Sequence, residues 1–224
     1  MDKKQLLINA IIKYFAGLVI VGLILFLTAG TFEYSNGWLF ISLLFIPMFI
    51  LGLFLYIKAP DLLEKRLKSK EKRSVQDNVI KLSAAEFLLS FVFAGIDYRF
   101  VLTPVPKAIV TIASVILLIS YALYAEVMRE NAYLSRTIEV QDNQKVIDTG
   151  LYSVVRHPMY MATIFLFLSI PIVLGSWLSF AIMLGFPVAI IARIKDEERL
   201  LEEELNGYIE YKNKVKYRLI PFVW

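Results

Sequence analysis

Residues able to do chemistry are concentrated in the last ~95 positions. One group is Arg156-His157-Pro158-Met159-Tyr160, preceded by Gly150-Leu151-Tyr152. Proline favours the first position of a helix, so His157 is expected at the N-cap of the segment that follows. A helix start offers unpaired N–H groups and a partial positive charge, which suits a carboxylate or phosphate. Arg156 adds a planar fork for the same kind of anion. Tyr152 and Tyr160 supply rings for stacking on a base or facing a cation. A second group is Arg193-Ile-Lys-Asp-Glu197-Glu198. Its carboxylates suit an ammonium or ribose hydroxyls, and Arg193 suits an acidic group on a substrate. A third is Gly207-Tyr208 with Tyr211. Each group also has a bland reading. Arg156 can snorkel to a headgroup while His157 merely caps, and the acidic run can be the wet face of an amphipathic helix.

What brings these groups together is a membrane. Of the 224 residues, 58% are hydrophobic, above the usual proportion for a soluble domain. Four long apolar runs, 14–32, 38–57, 82–98 and 108–128, meet or approach the ~20 residues that cross a bilayer. Two shorter runs, 160–174 and 177–192, meet at Gly175-Ser176 and read as a tight helical hairpin. Pro171 and Pro187 should kink its arms, which is tolerated where a helix lines a cavity. The expected fold is all-α: a polytopic membrane bundle of about six transmembrane segments, with a C-terminal hairpin and cytoplasmic amphipathic helices. Residues 1–107 read as scaffold spans and 108–224 as the functional part of a single integral membrane domain. The run after Met1-Asp-Lys-Lys is too long for a signal peptide and reads as a retained first span.

Of the 24 Lys and Arg residues, all but Arg99 and Lys107 fall in 1–13, 58–81, 129–158 and 193–224. With an N-terminus inside, these are the cytoplasmic pieces, so both termini are expected in the cytoplasm. The Arg-His-Pro turn and the Glu-Glu helix then share one membrane face, although 36 residues separate Tyr160 from Glu197. The basic loop 58–81 reads as an amphipathic helix on anionic headgroups. The net charge of +4 therefore speaks for membrane lipids and not for nucleic acid. There is no cysteine and one histidine, which excludes thiolate chemistry and gives no metal site. Glu86 and Asp97 are intramembrane carboxylates; Asp97 is expected to reach the outer interface beside Arg99, and Glu86 the other one. Glu126 and Asn131 are better placed to line the site.

In this order and spacing, Gly150-Leu-Tyr152, Arg156-His-Pro-Met-Tyr160, the hairpin, Glu197-Glu198, Gly207-Tyr208 and Tyr211 resemble the isoprenylcysteine carboxyl methyltransferase family, which is related to the phospholipid methyltransferases. The resemblance covers about 125–221. It implies a methyltransferase that takes S-adenosyl-L-methionine from the cytosol and a lipophilic or lipid-modified acceptor from the bilayer. Tyr152, His157, Pro158, Met159, Tyr160 and Glu197 match cofactor-contacting positions. Gln141, Val146 and Ile147 match on looser spacing. Arg193 matches a substrate-side arginine, and Glu198 stands beside the pair as a second catalytic candidate. Leu205-Asn206-Gly207 departs from the family's usual Phe-Gly. Membrane sterol reductases, which use NADPH, share a comparable C-terminal pattern and are the rival reading; a small transporter or scaffold is the non-enzymatic one.

Overall fold

The computed structural model describes residues 2–67, 74–134 and 139–224. Every regular element among them is helical. Helix α1 (Lys3–Ala29) holds no proline and ends at Gly30, whose left-handed backbone lets its N–H close on the Phe26 carbonyl at 2.9 Å. Helix α2 (Ser35–Lys58) returns, with Pro47 inside it. The short α3 (Pro60–Leu67) opens on proline, and α4 (Ser74–Phe100) and α5 (Lys107–Glu130) complete the first two thirds. Part of the expected amphipathic helix in the 58–81 loop is α3; positions 68–73 lie outside the described residues.

Helix α6 (Pro158–Val173) is the first hairpin arm. The second arm is not one kinked helix. It breaks at Leu184-Gly185 into α7 (Trp177–Met183) and α8 (Phe186–Glu204), and Pro187 sits in the first turn of α8 rather than inside an arm. Proline costs little there, because its missing N–H has no partner in a first turn. Glu86 supplies the missing acceptor: its carboxylate takes backbone N–H bonds from Gly185 and Phe186. It thus caps the start of α8 while remaining partly exposed. The acidic run with Glu197 and Glu198 is the continuation of α8. A last short helix, α9 (Tyr208–Lys214), follows Gly207.

Five helical stretches, 3–29, 35–58, 77–100, 107–130 and 177–204, are long and apolar enough to cross a membrane. The 16 residues of α6 fall short of that length. Six membrane segments therefore become five long ones and one short one. Phe15, Val19, Leu23 and Leu27 on α1 are all more than half exposed, a surface suited to lipid and not to water. The integral membrane character follows from these faces.

The core joins α1, α2, α4, α5 and α6 through Leu25, Phe40, Phe91, Leu117, Leu166 and Ile170. Helices α1 and α4 meet at Gly95, where a methyl group would strike Thr28 and the α1 backbone. Small residues allow this approach in membranes, where packing replaces the hydrophobic drive between helices. The hairpin tip is pinned from outside. Asp97, 2% exposed, accepts the Thr103 N–H at 2.6 Å and both the Thr103 and Ser176 hydroxyls. The Ser176 hydroxyl in turn accepts the Ser179 N–H at 3.0 Å and caps α7. Asp97 is thus buried in the turn and not exposed beside Arg99. A carboxylate so buried is tolerable only with donors around it, and Thr103 and Ser176 supply them.

Candidate active site

The opposite end of the hairpin opens into a cleft that, among the described residues, is lined from Asn131 to Leu134 and between Glu139 and Tyr211. His157 is the N-cap of α6 and Pro158 its first residue, as the sequence pattern requires. The backbone before them is held by the chain's last segment. Arg156 N–H donates to the Tyr217 carbonyl and His157 N–H to the Arg218 carbonyl, both at 2.9 Å. Arg156 is no open anion fork. Its Nε donates to Glu198 at 2.8 Å, and one terminal nitrogen donates to the Val215 and Lys216 carbonyls at 2.7 and 2.8 Å.

Glu198 is the hub of this arrangement. Its side chain is 3% exposed and meets Arg156 Nε at 2.8 Å, Arg218 Nε at 2.8 Å and His157 Nε2 at 3.3 Å. A carboxylate between two guanidinium groups ties α8 to the α6 start and to the C-terminal segment. It is not among the residues lining the cleft. Glu198, the second catalytic candidate of the sequence pattern, therefore stands behind the cleft wall, held by these three partners.

Glu197, the preceding residue, points the other way and lines the cleft. It accepts the Tyr160 hydroxyl proton, and Arg193 Nε donates to the same Tyr160 oxygen at 3.0 Å. Arg193 and Glu197 lie one turn apart on α8, so they share a face, and Tyr160 reaches between them from the first turn of α6. A cation, a neutral hydroxyl and an anion thus stand in line along one wall. The His157 and Tyr160 rings lie beside it, tilted 31° to one another with 5.6 Å between centroids.

The facing wall is loop and aromatic. Val146 and Ile147 line it, with Lys145 and Gln144. Gln141 does not. Its backbone N–H donates to Gln144 Oε1 at 2.9 Å and its side chain to the Tyr133 carbonyl, so it shapes the turn. Tyr152 lies in a 3₁₀ turn, Gly150–Ser153. Its hydroxyl accepts from Asn131 at 3.0 Å, and its carbonyl accepts the Tyr211 hydroxyl at 2.7 Å. The turn itself is capped by Glu130, whose two oxygens lie 3.2 and 3.0 Å from the Leu151 nitrogen. Gly150 is left-handed at φ 52°, and a methyl group there would overlap the Glu130 carboxylate.

Of the sequence candidates, Val146, Ile147, Tyr152, His157, Met159, Tyr160, Arg193 and Glu197 meet at the cleft; Gln141, Pro158 and Glu198 stand behind it. Asn131 lines it too, whereas Glu126 is paired with Arg129 at 2.6 Å on an exposed face. Tyr208, Tyr211, Leu201 and Leu205 also line the cleft. The trailing Gly-Tyr-x-x-Tyr was the available signal for the two tyrosines. The support from Arg218 left no signal, since a lone arginine near a chain end resembles any other interfacial cation. Burial is the main force on the Tyr152, Tyr208 and Tyr211 phenols and pushes all three above their usual range, so they remain neutral donors.

Residues 108–206 match the phospholipid methyltransferase family. This is a family of membrane methyltransferases related to the isoprenylcysteine carboxyl methyltransferases. The match begins in α5 and ends just past α8, so it contains the α6 start, Arg193 and the Glu pair, while Tyr208, Tyr211 and Arg218 lie beyond it. Among curated proteins, the Delta(14)-sterol reductase TM7SF2 of Mus musculus is 30% identical over 91 residues. That alignment covers 39% of this chain and 22% of the reductase, so the chain corresponds to a small part of that relative.

Proposed function

We propose that this protein is an S-adenosylmethionine-dependent methyltransferase of the membrane that methylates a lipophilic acceptor. The observation that carries the reading is the line Arg193–Tyr160–Glu197 within the family-matched region, set at the mouth of a cleft under the α6 N-terminus. The residues present fit the cofactor in kind. Glu197 suits its ammonium, Arg193 or the α6 start its carboxylate, and the Val146–Ile147 and Leu201–Leu205 walls its flat base. When bound, the cofactor supplies an activated methyl group on a sulfonium. The protein's own task is to hold donor and acceptor in line and to keep water out.

Glu198 acts behind the wall, holding His157 and the α6 start against the C-terminal segment. A carboxylate acceptor needs no general base, because it is ionised at neutral pH. An amine acceptor needs a proton removed, and Glu197 and His157 are the groups at the cleft that can take it. We favour a carboxylate of the prenylcysteine kind, with Arg193 positioning it. The acceptor enters from the bilayer beside Met159, against which Arg66 of α3 rests at 3.9 Å. The cleft faces the cytoplasm in this reading, with both termini on the same side.

The partial likeness to a sterol reductase supports NADPH as the second cofactor candidate. Calorimetric titration of the purified protein in lipid nanodiscs separates the two. Binding of S-adenosylmethionine without NADPH is the expected result; NADPH binding without S-adenosylmethionine overturns the proposal. Mass spectrometry of native lipids incubated with labelled cofactor then identifies the acceptor. Modification of a tag at either terminus in sealed vesicles tests the orientation, and protection from a cytoplasmic-side reagent would reverse it.

A further inference from the structure

Among the described residues, the Tyr208 hydroxyl is a fully buried side-chain oxygen with no hydrogen-bond partner. Tyr208 is 4% exposed, and it lines the cleft. Buried hydroxyls are almost always paired, so an orphan on a cleft wall points to a group that arrives from outside. Its ring is fixed by Leu205, Tyr211 and Val215, with Val146 and Leu201 against them. The nearby carboxylates do not serve it: Glu198 is held by Arg156, His157 and Arg218, and Glu197 by Tyr160.

We propose that Tyr208 is a specificity-determining residue that hydrogen-bonds the nucleoside half of the bound cofactor. This rests on the cofactor reading given above. Charge gathers at Arg193, Tyr160 and Glu197, which suits the zwitterionic amino-acid half. Around Tyr208 the wall is apolar, formed by Val146, Leu201 and Leu205, and the unpaired hydroxyl lies among them. A flat heterocycle on a sugar meets that description: it has broad apolar faces and a few edge nitrogens or hydroxyls to be read one at a time.

The test uses the full chain in lipid nanodiscs and S-adenosylhomocysteine as the probe. Tyr208→Phe removes one oxygen and keeps the ring. Its affinity is expected to fall about tenfold, the usual effect of deleting one buried neutral hydrogen bond. Analogues lacking one partner atom each (1-deaza, 3-deaza, 7-deaza, 2′-deoxy and 3′-deoxy) are titrated against both proteins. One of them should lose affinity for the wild type and lose nothing further in Y208F, a coupling that a merely structural role would not produce. Unchanged affinity in Y208F, or additive losses for every analogue, overturns the proposal. If Y208F fails to fold, the wild type alone decides, because it must discriminate against at least one analogue. Should the wild type bind NADPH and not S-adenosylhomocysteine, the methyltransferase reading fails while Tyr208 is tested by the same coupling on adenine dinucleotides. Binding of neither removes both.

Discussion

The two ends of the hairpin are each built around a buried carboxylate, and they solve that problem in opposite ways. At the tip, Asp97 is surrounded by neutral donors: one backbone N–H and two hydroxyls, all from residues within the turn and the neighbouring loop. At the mouth, Glu198 is surrounded by Arg156, His157 and Arg218, drawn from two segments far apart in sequence. Neutral donors suffice to fix a loop, and the tip is closed. The mouth uses cations to gather distant pieces, and beside them a cleft opens that holds the unpaired Tyr208 hydroxyl. A closed end with matched donors is scaffold; an open end with an unmatched one is where a ligand belongs.

Breaking the mouth should have the largest effect. Glu198→Ala leaves two guanidinium groups without their counter-charge, and losing one partner of a buried ion pair costs about 3–5 kcal/mol. A large drop in the thermal unfolding midpoint of the purified protein is expected, with ligand binding lost as the α6 start comes free. If E198A melted like the wild type yet failed to bind, Glu198 would touch the ligand and its supporting role would be wrong.

Asp97→Ala at the tip should cost somewhat less, about 2–4 kcal/mol, because the groups it strands are neutral. The distinguishing feature is function. Protein that remains folded should bind S-adenosylhomocysteine as the wild type does, since the cleft draws no residue from the tip. Weakened binding in folded D97A would show that the two ends are coupled through α6 and α8.

Gly150→Ala strikes the mouth's third support. The added methyl meets the Glu130 carboxylate that caps the 3₁₀ turn, and the backbone there is left-handed. A loss of about 1–3 kcal/mol is expected, with Tyr152 displaced. The double variant with Glu130→Ala should recover part of it, because the obstructing group is gone. Equal stability of the single and double variants would assign the whole cost to backbone strain.

The contrast between the ends was only half visible in the sequence. Helix positions followed from apolar run length and from prolines, so the bundle and the N-cap at His157 were legible. The meeting of Arg193, Tyr160 and Glu197 was legible too, because a hairpin must return its ends to one face. Burial was not. Adjacent glutamates look alike in a string, yet a helix turns about 100° per residue, so Glu197 faces the cleft while Glu198 faces the core. Asp97 was assigned to the outer interface for the same reason: the loop that wraps it lies several residues on and has no charge to announce its role. The break before α8 was hidden because Pro187 marks a kink or a helix start equally well, and the acceptor that decides between them, Glu86, lies about a hundred positions away.

The smallest effect tests the wall facing the charged line. Asn131 donates to the Tyr152 hydroxyl at 3.0 Å, and the same asparagine orders the Tyr133 N–H at 2.9 Å. Both bonds are neutral and partly buried, so Asn131→Ala should cost about 1 kcal/mol of stability. Its functional effect should be a weaker grip on the cofactor of no more than a few fold, because Tyr152 remains held through its carbonyl by Tyr211. Titration of N131A and Y211F, singly and together, resolves this. Two supports for one residue, one on its hydroxyl and one on its carbonyl, should give a double variant worse than the sum of the singles. Strict additivity would mean that Asn131 and Tyr211 act on the cleft independently, and that Tyr152 is not the element they share.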